Sequence, residues 1–324
     1  MLNKIGIEET FAIPETLGCS EKYFPKDVWP KFSAAILDLM DARLQLMDEN
    51  GMEMMILSLN SPAIQTIYNK KEAIEVARIA NDTMAEAIHK HPKRFQGFAA
   101  VPLQDPDAAI LELQRAVKDL GCIGVLANGY SQIDAEDNYM YLDDPAYRPF
   151  WAEVAKLNIP FYLHPREPMP CNAHSVDGHP WLNGAAWTFG TETATHALRL
   201  MCSGLYDEFP NLKMILGHMG EALPYTMWRI SNRMKREDRG APMKLQVCDY
   251  LLKNFWYTTS GHHRTQTLIN TMSEIGADRI LFATDFPFES VPEACEWFDS
   301  CSISENDREK IGRTNAINLF DLNI

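Results

Sequence analysis

The chain lacks most of the marks that would place it quickly. No stretch approaches the roughly 18 consecutive apolar residues of a membrane span. The start, MLNKIGIEETF, has no basic region followed by an apolar run and a small-residue cleavage site, so it reads as a strand and not as a signal peptide. Positive charge is scarce. Against 44 Asp and Glu stand 30 Lys and Arg, a net charge of −14. A surface that binds phosphates needs clustered Lys and Arg, which argues against nucleic acid and anionic membrane as partners. A small anionic substrate would need a local positive centre, a metal or a buried arginine, to offset the overall field. The seven cysteines, Cys19, Cys122, Cys171, Cys202, Cys248, Cys295 and Cys301, are scattered, odd in number and without a C-x-x-C pair. Free thiols in a reducing compartment, the cytoplasm, are expected. There is no Walker loop, no G-x-G-x-x-G opening a helix, no G-x-S-x-G and no HExxH, which leaves nucleotide binding and serine hydrolysis unsupported.

What is present is an alternation. Eight short apolar runs recur: 4–8 (KIGIE), 53–59 (EMMILSL), 95–101 (FQGFAAV), 122–127 (CIGVLA), 159–164 (IPFYLH), 213–218 (KMILGH), 255–260 (FWYTTS) and 279–285 (RILFATD). Each is followed by a segment that reads wholly or partly as helix, such as 34–50, 71–91, 106–120, 146–158 and 305–320. Near-continuous apolar strands alternating with helices indicate parallel pairing with both faces covered. Eight such units predict a closed α/β structure, a (β/α)8 TIM barrel, spanning residues 1–324 as one catalytic domain. Long connections at 9–33, 128–145 and 165–186 follow strand C-termini, the end of a barrel that carries chemistry. The polar, basic stretch 231–249 reads as a solvated excursion or a subunit contact.

The informative residues are those at strand ends. Glu8 ends the first strand, His164 the fifth, His218 the sixth and Asp285 the eighth. Strand ends of a parallel barrel lie on a ring, so four residues far apart in sequence can converge at one mouth. Singly, each has a plainer reading: a solvated glutamate, a core histidine, a helix-capping aspartate. Jointly they predict a metal or catalytic site. In GHMGE, Glu221 could accept from one nitrogen of His218 and fix its tautomer, or simply favour a helix N-terminus. Glu221, Tyr225 and Arg229 are spaced by four, so Arg229 could hold a carboxylate at the mouth or form a surface ion pair.

At this point a resemblance becomes visible. EETFAIPE (8–15), FYLHPR (161–166), ETATHALRLM (192–201), GHMGEALPYTMWRI (217–230), TTSG (258–261) and RILFATDFPFE (279–289) resemble the amidohydrolase superfamily over nearly the whole chain. Within it they are similar to the metal-dependent, non-oxidative hydroxybenzoate decarboxylases. LSLNSPAIQ (57–65) and VPLQDP (101–106) look nearest to those acting on γ-resorcylate, 2,6-dihydroxybenzoate. The resemblance implies an amidohydrolase-type barrel with Glu8, His164 and Asp285 as metal ligands and His218 with Glu221 as a catalytic pair. It places Arg229 near the substrate, Tyr23 and Phe288 against its ring, and Asn128 at the end of the fourth strand.

Many superfamily members carry a histidine ligand two residues after the first, where this chain has Thr10, a poor ligand. Three protein ligands with open positions suit Mn²⁺ or Mg²⁺ at least as well as Zn²⁺. No lysine ends the fourth strand, which argues against a bridged two-metal centre. The implied reaction is reversible loss of CO₂ from an ortho-hydroxybenzoate, with 2,6-dihydroxybenzoate giving resorcinol. It uses one divalent metal (Zn²⁺, Mn²⁺ or Mg²⁺) and no organic cofactor, in a homotetramer built as a dimer of dimers. The same residues would also serve a metal-dependent hydrolase of a lactone, ester or amide.

Overall fold

The computed structural model describes the backbone of all 324 residues and every side chain but that of Cys171. Eight parallel strands form one sheet in sequence order: β1 Lys4–Phe11, β2 Met52–Leu59, β3 Phe95–Ala100, β4 Gly124–Asn128, β5 Pro160–His164, β6 Lys213–Leu216, β7 Phe255–Thr258 and β8 Ile280–Leu281. The sheet closes. Ile7 N donates to Phe282 O, Asp285 N to Glu8 O and Thr10 N to Phe286 O, so β1 and the chain beyond β8 form the last seam. All eight expected strands are therefore present, in a closed (β/α)8 TIM barrel.

Two cores flank the sheet. Inside lie Ile5, Ile7, Met54, Ile56, Phe98, Leu126, Tyr162, Ile215, Leu281 and Ala283, plugged from one end by Ala316, Leu319 and Phe320 of the C-terminal helix. Outside, Leu57, Val125, Phe161, Leu163, Met214, Leu216 and Tyr257 pack under the helices. Both faces of each strand are thus buried, which is why the strands read as continuous apolar runs.

The helices follow their local signals. Lys70–Lys90 is capped by Asn69, whose side chain accepts from Lys71 N and Glu72 N at 3.0 and 3.2 Å. Its buried face, Ala73, Val76, Ala77, Ala80, Met84, Ala87, recurs every three or four residues. Pro106–Lys118 starts on Asp105 and Arg148–Leu157 ends on left-handed Asn158. The helix expected over 34–50 is two, Trp29–Leu37 and Asp41–Glu49. Asp38 breaks it: its carboxylate accepts from Met40 N at 2.8 Å and Arg43 N at 2.9 Å, a local bond that competes with the helix ladder. The basic stretch 231–249, expected as a solvated excursion or a subunit contact, is helical at both ends, in Leu223–Arg236 and Val247–Asn254.

The register of β1 carries a bulge. Gly6 pairs with Met55 but Glu9 with Leu57, three steps against two. Ile5 and Ile7 point inward, and simple alternation would send Glu8 outward. The extra residue turns Glu8 into the barrel, as bulges beside active sites do. Glu9 then faces out, where Gly6 leaves it space: a Cβ on Gly6 would stand 2.3 Å from Glu9 Oε1.

Candidate active site

Glu8, His164, His218 and Asp285 meet at the C-terminal mouth. Glu8 is fully buried, and its Oε1 lies 3.1 Å from His164 Nε2 and 3.7 Å from His218 Nε2. His218 Nε2 is 3.6 Å from Asp285 Oδ2. Ligand atoms of Glu8, His218 and Asp285 all fall within 4.8 Å of one another, while His164 makes its approach to Glu8. The sequence reading paired His164 with the two carboxylates and set His218 apart; the geometry brings both histidines to Glu8.

Each imidazole is held by its other nitrogen. His164 Nδ1 is 3.0 Å from Pro165 O, and His218 Nδ1 is 2.7 Å from Glu221 Oε1. With a proton on Nδ1 in each, both Nε2 atoms turn toward the carboxylates. Burial disfavours a charged His218, yet Glu221, Glu8 and Asp285 together hold it well above its ordinary range. Burial pushes Glu8 up, but His218 and His164 outweigh it and keep the carboxyl at about 2. Asp285 is raised, by burial first and by the Glu8 charge, against the pull of His218.

The backbone here is unusual. His218, Met219, Glu221 and Ala222 all have φ between 52 and 62°, and Asp285 has φ 64°. Left-handed backbone at non-glycine residues costs of the order of 1 kcal/mol or more each, and it clusters where surrounding structure over-determines a site. Glu221 consequently stands in a turn before the helix that begins at Leu223, and not in its first turn as the sequence suggested. The four-residue spacing therefore does not carry Arg229 inward. Arg229 is exposed, and Tyr225 rather than Arg229 lines the adjoining cavity.

That cavity, of about 900 Å³, opens beside His218, Glu221 and Asp285 and runs past Trp187, Phe189, Leu223 and His262. No arginine or lysine of the described residues lines it. Tyr23 does not line the cavity but packs edge-on to Phe189, which does, at 5.7 Å, with its hydroxyl on Glu167. Phe288 packs with Phe24 and Phe32 in a separate apolar cluster. Asn128, the register partner of His164, is buried and donates to Asn60 O at 3.1 Å, tying two strand-end loops together.

The sequence reading missed the layer behind these residues. The Tyr162 hydroxyl donates to Glu8 Oε2, as does Thr258 Oγ1 at 3.1 Å. On the outer face, Glu9 accepts from Thr284 N at 2.9 Å and Thr284 Oγ1 at 2.5 Å, and burial pushes its carboxyl up to about 8. Thr284 precedes Asp285, so this pair anchors the strand end that presents it.

The residues suit a divalent cation. Glu8 Oε1 is fully buried and has no hydrogen bond of good geometry, while the Nε2 atoms of His164 and His218 face it, so these donor atoms can share one cation. Two atoms each about 2.1 Å from one ion lie roughly 3.0–3.4 Å apart, and Glu8 Oε1 and His164 Nε2 stand 3.1 Å apart. By alternation beyond the bulge, Thr10 shares the inward face with Glu8 and offers a hydroxyl where an imidazole would bind more strongly.

A family model described as Amidohydrolase matches residues 31–322. The chain belongs to the amidohydrolase family. This amidohydrolase is 57% identical, over 325 residues covering 99% of both chains, to the γ-resorcylate decarboxylase of Rhizobium sp. (strain MTP-10005). It is 54% identical over 327 residues, again 99% of both, to that of Rhodococcus jostii (strain RHA1). A solved 2,6-dihydroxybenzoate decarboxylase complexed with 2,6-dihydroxybenzoate matches it with a TM-score of 0.98 at 56% identity, covering 99% of this chain and 100% of that one. The dihydroxybenzoic acid decarboxylase from Polaromonas sp. JS666, with bound manganese and the inhibitor 2-nitroresorcinol, matches with a TM-score of 0.97 at 54% identity, covering 100% and 98%.

Proposed function

We propose that this amidohydrolase is a carboxy-lyase that removes CO₂ from 2,6-dihydroxybenzoate to leave resorcinol, using one divalent metal held by Glu8, His164 and Asp285. The observation that carries the reading is the convergence of the buried Glu8 Oε1 with the Nε2 atoms of His164 and His218, and of His218 with Asp285, beside the cavity. The likeness to γ-resorcylate decarboxylases over the whole chain supports decarboxylation over hydrolysis. Manganese in the Polaromonas relative makes Mn²⁺ the first ion to test. With no arginine or lysine of the described residues in the cavity wall, the cation is also the positive centre that an anionic substrate requires in a protein of net charge −14.

When bound, the metal supplies Lewis-acid stabilisation to the substrate's oxygens. The chain's own residues supply proton movement and position. Asp285, at the mouth beside His218, delivers a proton to the ring carbon that bears the carboxylate. Electron donation from the ortho-hydroxyl offsets the loss of aromaticity, and CO₂ departs. His218, fixed by Glu221, hydrogen-bonds a ring oxygen and adjusts its protonation. Phe189 and Trp187 give the cavity apolar walls beside these groups.

The subunit is proposed to work as a homotetramer, a dimer of dimers, in the cytoplasm. Tyr225, Trp228, Trp187 and Trp181 are 76, 69, 59 and 67% exposed, large aromatic side chains that a subunit contact would cover. The six described cysteines are unpaired, in keeping with a reducing compartment. Among the described residues, no helix is long and apolar enough to cross a membrane. Incubating Mn²⁺-loaded protein with 2,6-dihydroxybenzoate and following resorcinol by chromatography and CO₂ by trapping tests the activity. Equal yields of both products are expected. Unchanged acid, with turnover of an ester or lactone instead, would select the hydrolase.

A further inference from the structure

The two oxygens of Glu8 are treated differently. Oε2 receives two donors, the Tyr162 hydroxyl and Thr258 Oγ1. A carboxylate oxygen offers about two lone-pair sites, so this pair fills it. The donors are themselves fixed: Tyr162 packs edge-on to Phe98 in the barrel core at 5.8 Å, and Thr258 Oγ1 is 2.7 Å from Ser260 Oγ, which accepts from His218 N at 3.1 Å. Oε1 is as deeply buried and has no hydrogen bond of good geometry.

Gly217 makes room for this arrangement. A Cβ there would stand 2.9 Å from the Tyr162 hydroxyl, 3.1 Å from Glu8 Oε2 and 3.4 Å from Ser260 Oγ. Its φ of −69° is open to any residue, so space and not backbone freedom explains the first glycine of GHMGE.

We propose that Tyr162, with Thr258, is a positioning residue that reserves Oε2 of Glu8, so that this carboxylate meets the metal through Oε1 alone. The proposal rests on the metal reading above. One-atom binding by Glu8 leaves a coordination position that a two-atom carboxylate would take. A substrate offering a carboxylate and an ortho-hydroxyl oxygen needs two such positions.

The test is the dissociation constant of Mn²⁺ from the full-length protein, by competition with a chromogenic chelator, for wild type and Tyr162→Phe, Thr258→Val, Gly217→Ala and Tyr147→Phe. Tyr147 is the control, a buried phenol that donates to Leu103 O at 2.7 Å, away from the site. Loss of a partner that orients a ligand costs about 10–100-fold in metal affinity. That loss is expected for Tyr162→Phe and Gly217→Ala, a smaller one for Thr258→Val and none for Tyr147→Phe, although Tyr162→Phe and Tyr147→Phe each remove a buried hydrogen bond and lower the melting temperature of the metal-free protein. Wild-type affinity in Tyr162→Phe overturns the proposal and leaves the metal site standing. If that variant does not fold, wild-type affinity in Thr258→Val overturns it equally. A wild-type protein that binds no Mn²⁺ overturns the metal reading itself.

Discussion

The Nδ1 of His218 and the Oε1 of Glu221 stand 2.7 Å apart across a turn in which both residues have left-handed backbone. Three residues apart in an extended strand they could not touch. The folded-back turn is what makes them a pair. Gly190 lets the carboxylate sit there, since a Cβ at that position would come within 2.9 Å of Glu221 Oε2.

Removing the carboxylate should therefore release the ring. Glu221→Ala is expected to lower kcat/KM by about 10–100-fold, the usual cost of losing a partner that orients a histidine. Glu221→Gln keeps an acceptor for Nδ1 and should lose less. Steady-state kinetics on 2,6-dihydroxybenzoate check the order, and equal rates for all three proteins would leave Glu221 with no part in catalysis.

Asp285→Asn removes the proposed proton donor while keeping its shape. Turnover should fall by at least the roughly 10²–10⁴-fold that a positioned acid supplies, with a far-ultraviolet circular dichroism spectrum like that of wild type. A rate near that of wild type would take the proton transfer away from this residue.

Stripping the metal should abolish activity, and Mn²⁺ should restore it. Because the ion binds the folded chain, stability should also rise with its concentration, by about 2.7 kcal/mol when the free ion is 100 times its dissociation constant. Calorimetric melting across a Mn²⁺ series measures this. A melting temperature and rate both indifferent to chelation would mean that the mouth holds no ion.

His196 gives a pH prediction away from the mouth. Burial first, and Arg199 second, hold its imidazole down from 6.5 to about 3, and its Nε2 accepts from Leu142 N at 3.0 Å. Above pH 6.5 neither folded nor unfolded chain protonates it, and its contribution is fully present. Between 6.5 and about 3 the unfolded chain takes a proton that the folded one refuses, so stability falls as pH drops. The slope is about 1.4 kcal/mol per pH unit for one proton. Urea unfolding at pH 7.5, 6 and 5 should show His196→Gln losing less stability on acidification than wild type by that slope. Parallel curves for the two would count against it.

The strands and their ends were readable in the sequence because a sheet covered on both faces leaves unbroken apolar runs, and because charged residues closing those runs stand out. Glu8, His164, His218 and Asp285 were found that way. The bulge that turns Glu8 inward leaves no composition signal, as KIGIEETF reads the same with or without it. Tyr162 and Thr258 look like ordinary strand residues, and only the closed barrel brings their hydroxyls to Glu8. The break at Asp38 depends on a local bond that helix periodicity does not register. Arg229 was read through a helix starting too early, since Glu221 and Ala222 are left-handed and the helix begins at Leu223.

Anomalous diffraction from crystals grown with Mn²⁺ would locate the ion directly. The ion should appear at the mouth, about 2.0–2.2 Å from Glu8 Oε1, His164 Nε2 and an Asp285 oxygen, with Glu8 Oε2 still on Tyr162. Manganese found elsewhere, with Glu8, His164 and Asp285 bare, would contradict the account.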